Sequence, residues 1–327
     1  MTGSNPFVDD GNGDGDDDGN GAEPVRGTGL TPPVRTLSLR ACPRPDDSFP
    51  VALCRTVATT VDADSSVAAE APALEPLASA LIALEGYVRL RRATLSERTD
   101  DRETALLASD YLFARAHGAV GTAPLDAERA LASVRAFTAA SSELPAAIGR
   151  SERAGDEEVE TESESKLKSE SESASEPEPE PTVETGPLAV LAGCGCVLGA
   201  IVGDRSDAAD PLRAYGRQLG TLLDAVPGGS LDEIASPPER LARDHRKTVR
   251  QAMIRGLQGE VITGSLPDDP RLRTALVPRL EAAMTAHERL ADHLDETALG
   301  RLERPLRWLE AELGRGNGFE ATEGRRD

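Results

Sequence analysis

The segment from Gly186 to Gly203, GPLAVLAGCGCVLGAIVG, contains eighteen residues and no charge. This length is at the lower limit for a helix that spans a bilayer. However, the segment is rich in Gly and Ala, and no cluster of Lys or Arg flanks it as an orientation signal for a span. A helix that is apolar all round can instead be the central helix of a bundle. We therefore predict a buried helix here, with a membrane span as the alternative.

The segments on both sides of this helix have apolar residues at spacings of three and four, which is typical of amphipathic helices. In the 72–92 segment the spacing is carried by Leu74, Leu77, Leu81, Leu84 and Val88. Most of the helical segments begin near Pro, Asp or Ser and end at Gly. Further helices are predicted at 101–118, 125–140, 187–202, 210–225, 238–260, 270–293 and 297–313. Residues 31–54 are interrupted by proline, and the stretch TLSLRACPRP at 36–45 is predicted as a short strand or an extended arm; from Phe49 onward the helical period dominates. Because no strand pattern rises above background, the predicted fold class is all-α.

Residues 151–185 separate the helical segments into two halves. Glu, Ser, Pro and Thr dominate this stretch, and such a composition cannot bury enough apolar area to offset the entropy of the chain. We predict a disordered Glu/Ser linker between an N-terminal helical half (31–150) and a C-terminal half (186–313), with a disordered acidic tail at 1–30 and a second tail at 314–327. The apolar 186–203 helix needs neighbours on every face, so we favour one bundle over two separate domains.

The chain carries 57 acidic and 36 basic residues and a formal charge of −21. A polyanion repels nucleic acids and anionic lipid headgroups, so neither is an expected partner. Lysine is nearly absent, and Ala, Val and Thr are abundant, which resembles cytoplasmic proteins of high-salt archaea. Molar salt shortens the Debye length to about 3 Å, and most surface acids then serve solubility. The N-terminus lacks the basic start and apolar run of a signal peptide. A cytoplasmic location is therefore predicted.

Cysteine and histidine do not form a metal-binding pattern in this sequence. Cys42, Cys54, Cys194 and Cys196 include no C-x-x-C pair, and they are predicted to be small buried thiols. The histidines are scattered along the chain at His117, His245, His287 and His293. No metal site is predicted from them.

A single basic cluster stands out on this acidic chain. It comprises Arg240, Arg243, His245, Arg246, Lys247 and Arg250. Positions 243, 246, 247 and 250 share one face of a helix. This face could meet phosphate, the acidic linker or a partner protein, and we favour the last two.

Four short motifs occur in one order along residues 50–313, with the linker excluded. The first is the pair Arg91-Arg92, and the second is Ala105–Ala116, which reads ALLASDYLFARA. The third consists of a T-G at Thr185-Gly186 followed by an L-G-A at Leu198–Ala200. The fourth is Ala214–Gly220, which reads AYGRQLG. Together they resemble the trans-isoprenyl diphosphate synthases of the polyprenyl synthetase family. The resemblance implies an isoprenoid-synthase-like single helical bundle. It also implies that Arg91 and Arg92 are candidate substrate-binding residues that contact a diphosphate; the alternative is a solvated arginine face. Asp110, within the second motif, is interpreted as a helix-packing residue.

Enzymes of this family ionise an allylic diphosphate with Mg²⁺, which two D-D-x-x-D motifs hold through their carboxylates. This sequence departs from the family at both motifs. The first position offers only Glu85, and the second offers Asp224, with Pro227 and Gly228 where the paired aspartates are expected. The family's diphosphate-holding Lys corresponds to Glu184, which has the opposite charge. We therefore assign no catalytic residue, no metal ligand and no cofactor; Mg²⁺ would be required only by an active transferase.

The resemblance and these departures together predict a polyprenyl-synthetase-like protein of isoprenoid or ether-lipid metabolism. Its expected role is that of a non-catalytic or regulatory subunit, and its expected partner is an isoprenyl diphosphate synthase subunit or a second copy of the chain. Two alternatives stay open. The chain could be an active prenyltransferase with reduced metal dependence, or a helical scaffold with no role in isoprenoid metabolism.

Overall fold

The computed structural model describes residues 29–60, 72–95, 101–164, 185–226, 237–262 and 265–315, and for residues 60, 151–164 and 237–246 it describes the backbone only. Over these ranges the chain forms ten α-helices and no strand. The helices are α1 (Pro32–Ala41), α2 (Phe49–Thr60), α3 (Leu74–Leu95), α4 (Arg102–Gly121), α5 (Ala127–Glu164), α6 (Pro187–Val202), α7 (Ala209–Asp224), α8 (Pro237–Gln258), α9 (Pro270–Glu288) and α10 (Glu296–Arg315). Short 3-10 turns occur at Pro45–Asp47, Ser206–Ala208 and Arg289–Asp292. The all-α prediction is confirmed.

The start signals in the sequence have direct counterparts in the structure. Asp101 caps α4 by accepting a hydrogen bond from the backbone N–H of Thr104 at 2.9 Å, and Asp269 caps α9 by accepting one from Arg271. Such a side-chain cap satisfies one of the backbone donors that the first turn of a helix leaves without a partner. The acidic residues that precede these helices therefore fix where they begin.

The prediction of a short strand or an extended arm at 36–45 is wrong. Residues 31–54 form α1, a 3-10 turn and, from Phe49 as predicted, the first half of α2. Pro32 and Pro33 do not interrupt α1, because they occupy its first two positions. A proline there has no intrahelical hydrogen bond to lose, and its fixed φ suits the helix.

Helix α6 lies at the centre of the bundle, and all of its residues except Val202 are buried. It packs against α2 and α5, which precede the predicted linker, and against α7, which follows it. Ala192 and Cys196 belong to an apolar cluster built mainly by α2 and α7–α10, whereas Leu191 and Leu198 belong to a second cluster with α1–α5. The prediction of a buried central helix is confirmed. Of the helices described, none is both long enough and apolar enough to cross a membrane.

Glycines allow α6 to pack against its neighbours backbone to backbone. A Cβ atom built on Gly199 would lie 2.4 Å from the carbonyl oxygen of Cys54 on α2. On the other side, a Cβ atom on Gly220 of α7 would lie 2.4 Å from the Cα atom of Ala189. Distances this short leave no room for a methyl group, so the close approach of these helices depends on glycine.

The structure changes one boundary of the predicted linker. Helix α5 runs to Glu164, so residues 151–164 are helical rather than part of a linker that begins at 151. Glu is a good helix former, and six of these fourteen residues are Glu. The remainder of the predicted linker at 165–184 lies outside the described residues, as do residues 1–28 and 316–327 of the predicted tails.

Three of the four cysteines are buried, and Cys42 is partly buried; none of the four forms a disulfide. This placement agrees with their interpretation as small core thiols. Burial raises the pKa of the Cys42, Cys54 and Cys194 thiols to about 12, and it raises that of Cys196 further. Because the thiolate is the reactive form, these cysteines are inert in the folded chain.

We expect 5,5′-dithiobis(2-nitrobenzoate) to leave all four thiols of the native protein essentially unmodified at pH 8. In guanidinium chloride the same reagent should titrate four thiols, because unfolding exposes them and returns their pKa to the ordinary value. The release of the coloured thiolate, followed by absorbance, measures both. Rapid modification of any thiol before unfolding would show that the packing around α6 opens readily.

Candidate functional site

The position that the resemblance assigns to the first aspartate motif contains one carboxylate, Glu85, in the middle of α3. Its side chain is completely buried within a run of apolar residues. A buried carboxylate is costly unless charged and hydrogen-bonding partners surround it. The position therefore raises the question of what neutralises Glu85.

Three side chains donate hydrogen bonds to the Glu85 carboxylate. Ser48 Oγ donates to Oε2 at 2.9 Å. Arg250 Nη2 donates to Oε1 at 2.5 Å, and Arg89 Nη2 donates to the same oxygen at 3.2 Å. These donors come from the residue before α2, from α8 and from the next turn of α3. Both oxygens of the carboxylate are thus occupied by protein groups.

Further hydrogen bonds connect this cluster to the surrounding elements. Arg89 Nη1 donates to the carbonyl oxygen of Ala41 at the end of α1, at 3.1 Å. Beside Arg250, Gln251 Nε2 donates to Asp47 Oδ1 at 2.6 Å. The polar cluster therefore joins α1, the 3-10 turn, α3 and α8.

The electrostatics of the cluster favour the ionised form of the carboxylate. Burial alone would raise the pKa of Glu85, but the charges of Arg250 and Arg89 and the hydrogen bonds from Arg250 and Ser48 outweigh it, so the pKa is lowered from its ordinary value of 4.5. Arg250, Arg89 and Ser48 already engage both carboxylate oxygens. A divalent cation would have to displace these donors in order to bind them.

The predicted substrate-binding residues, Arg91 and Arg92, are neighbours on α3 and differ in their surroundings. Arg91 donates to Asp110 Oδ1 on α4 at 2.5 Å, and its guanidinium lies 5.4 Å from the centre of the Tyr87 ring. Arg92 is buried, with 9% of its surface exposed. Adjacent residues on a helix point about 100° apart. Asp110, interpreted as a packing residue, joins α4 to α3 through its ion pair with Arg91.

The second motif position contributes Asp224, the last residue of α7. Its carboxylate lies against Gly186, where a Cβ atom would be 2.2 Å from Oδ2. Gly186 precedes the first turn of α6, and the N-terminus of a helix stabilises negative charge. Glu184, Pro227 and Gly228 lie outside the described residues. Among the residues that are described, no three His, Cys, Asp or Glu side chains lie close enough together to hold a metal ion.

The predicted basic face on α8 is only partly described. Arg250 points inward and pairs with Glu85 of α3, which is none of the partners predicted for this face. Lys247 is exposed, and the side chains at 240, 243, 245 and 246 lie outside the described residues. The sequence analysis had placed Arg250 with these residues on the surface and had missed its pairing with Glu85.

The residues that carry the family resemblance are mainly helix-packing residues. Gly216 and Gly220 of the AYGRQLG segment lie against α6, and Gly199 of the L-G-A segment lies against α2. On α4, the buried face includes Ala108 and Leu112 of the ALLASDYLFARA segment.

No model of a known protein family matches the chain, and no curated protein matches it. The resemblance therefore stays a prediction that rests on these residues.

Proposed function

We propose that this chain is a polyprenyl-synthetase-like protein that acts as a non-catalytic or regulatory subunit in cytoplasmic isoprenoid or ether-lipid metabolism. The proposal rests on the burial of Glu85 and on the side chains that bind its carboxylate. At the position where the resembled family binds Mg²⁺, the carboxylate is buried and held by Arg89, Arg250 and Ser48. An arginine cluster takes the place of the metal as the counter-charge, and the site serves stability.

The packing of the motif residues supports the same proposal. Gly199, Gly216 and Gly220 bring α6 into backbone contact with α2 and α7. A family member that loses its chemistry but keeps its fold retains such contacts, since they determine how the helices pack. We infer that the partner is an isoprenyl diphosphate synthase or a second copy of this chain.

The purified chain should not elongate a prenyl chain. Incubation with labelled isopentenyl diphosphate, geranylgeranyl diphosphate and Mg²⁺ should give no longer product, because the described part of the chain contains no cluster of carboxylates that could hold the metal required for departure of the diphosphate. A synthase with both aspartate motifs, assayed in the same buffer and salt, is the positive control. Formation of an elongated product would overturn the proposal in favour of an active prenyltransferase.

The subunit role needs a separate measurement. A tagged chain expressed in its native cells and purified at the salt concentration of the cytoplasm should retain a synthase that carries paired aspartate motifs, identified by mass spectrometry. Recovery of the chain with no synthase, together with no self-association in light scattering, would contradict the subunit role. That result would favour the helical scaffold.

A further inference from the structure

A cleft lined by three arginines opens between α2, the end of α8 and α10. Its volume is about 470 Å³, within the usual range of small-molecule sites. The buried side chains of Val51 and Leu257 form part of an apolar floor. Arg55, Arg301 and Arg304 also line the cleft. A lining that combines cationic and apolar side chains suits an amphiphilic anion.

Two of the three arginines in this cleft have no ion-pair partner among the residues that the structure describes. Arg55 forms an ion pair with Glu75 at 2.9 Å and lies 4.0 Å from Asp46. For Arg301 and Arg304 no ion pair with a described residue occurs, and no Asp or Glu is among the described residues that line the cleft. These two arginines lie one turn apart on α10, in a chain with a net charge of −21. Together they carry a charge of about +2 that a ligand can neutralise.

Contacts within the protein determine the shape of the cleft. Thr56 Oγ1 donates to the carbonyl oxygen of Leu257 at 3.3 Å and joins α2 to the last turn of α8. The chain then turns at Gly259, whose φ of +82° suits glycine. The guanidinium of Arg304 fills the space beside this glycine, with Nη1 2.7 Å from where a Cβ atom would lie. The turn thus makes room for one of the two free cations.

We propose that this cleft binds a small organic phosphate, with the phosphate between Arg301 and Arg304 and the apolar part on the floor. A phosphate carries about −1.5 to −2 charges at pH 7, which matches the two free guanidinium groups, whereas a carboxylate carries one. Arginine also binds phosphate oxygens through two parallel N–H donors. None of the lining residues belongs to the motifs behind the proposed function, so this inference stands independently of it.

Isothermal titration calorimetry with phenyl phosphate tests the proposal. Benzoate is the control in which a carboxylate replaces the phosphate. Inorganic phosphate is the control that has no apolar group to contact the floor of the cleft. All titrations share one KCl concentration, because screening changes the affinity. We expect phenyl phosphate to bind at least tenfold more tightly than either of the other two. Arg301→Ala and Arg304→Ala should each weaken its binding about tenfold or more, because each removes charge-assisted hydrogen bonds. Arg304→Lys, which keeps the charge but loses the forked donors, should give an intermediate affinity.

Arg271→Ala is the matched control, because it removes one exposed positive charge on α9 outside the cleft. It should leave the affinity unchanged, and thermal melting should show all variants folded. The proposal is overturned if phenyl phosphate does not bind, if Arg301→Ala and Arg304→Ala bind it as the unmodified chain does, or if benzoate binds equally well. Tighter binding of a peptide of residues 165–184 would also overturn it, since the cleft would then be a site for the chain's own acidic segment.

Discussion

Glu85→Gln is expected to lower the free energy of unfolding by about 3 to 5 kcal/mol, which is the usual cost of removing one partner of a buried ion pair. The substitution leaves the side chains of Arg250 and Arg89, which are 12% and 21% exposed, without their counter-charge. It also weakens the contact between α3 and α8, because the Arg250 bond joins them. Urea unfolding followed by circular dichroism, at one fixed KCl concentration, measures the loss.

Glu75→Gln provides the matched control. Glu75 also forms an ion pair with an arginine, Arg55, at 2.9 Å, but its side chain is 59% exposed. Water solvates both partners of such a pair, so its removal should cost less than about 1 kcal/mol. Equal losses in Glu75→Gln and Glu85→Gln would contradict the structural role assigned to the buried cluster.

Two further measurements distinguish a buried ion pair from a general packing defect. In a double-mutant cycle, Glu85→Leu combined with Arg250→Met should cost less than the sum of the single substitutions, since only Arg89, which is 21% exposed, is then left without its counter-charge. The pH dependence has a definite sign. Because the pKa of Glu85 is lower in the folded chain than its ordinary 4.5, its contribution is complete above about pH 5 and is lost as the pH falls through the folded pKa. Glu85→Gln should lack this acid-dependent component.

The helices were predictable because the spacing of apolar residues directly reflects which face is buried. The segment predicted at 72–92 corresponds to α3, and the segment at 297–313 corresponds to α10. The sequence analysis missed α1 because it interpreted Pro32 and Pro33 as interruptions. A proline costs a helix least in the first turn, where no intrahelical hydrogen bond is lost. A proline pair therefore indicates a boundary without saying on which side the helix lies.

The polar cluster and the arginine cleft were not predictable from local pattern. Arg89 lies one turn from Glu85 and could be recognised by its spacing, but Ser48 and Arg250 lie 37 and 165 positions away. The cleft likewise combines Arg55 of α2 with residues of α10. Only the packing of distant helices places these side chains together. A solitary Glu within an apolar helix face was the one available signal, and it indicates that a cationic partner exists without identifying it.

Gly199→Ala is the second substitution with a large expected effect, a loss of about 2 to 3 kcal/mol. The new methyl group would lie 2.4 Å from the carbonyl oxygen of Cys54 and 2.9 Å from the Cβ atom of Val57. Neither obstacle is the end of a flexible side chain, so α2 and α6 must move apart. Because α6 contributes to both apolar clusters, the loss of packing extends to both. Urea unfolding under the conditions used for Glu85→Gln gives the comparison.

Gly300→Ala isolates the steric part of this effect. Gly300 lies within α10, and a Cβ atom built on it meets nothing within 4 Å. Both substitutions gain about 0.5 to 1 kcal/mol from the higher helix propensity of alanine, so Gly300→Ala should stabilise the chain by that amount. The opposite signs at the two positions would then result from backbone contact alone. A stabilising Gly199→Ala would mean that α2 and α6 are not in contact at this point. The L-G-A segment would then lose the packing role by which we explain its resemblance to the polyprenyl synthetases.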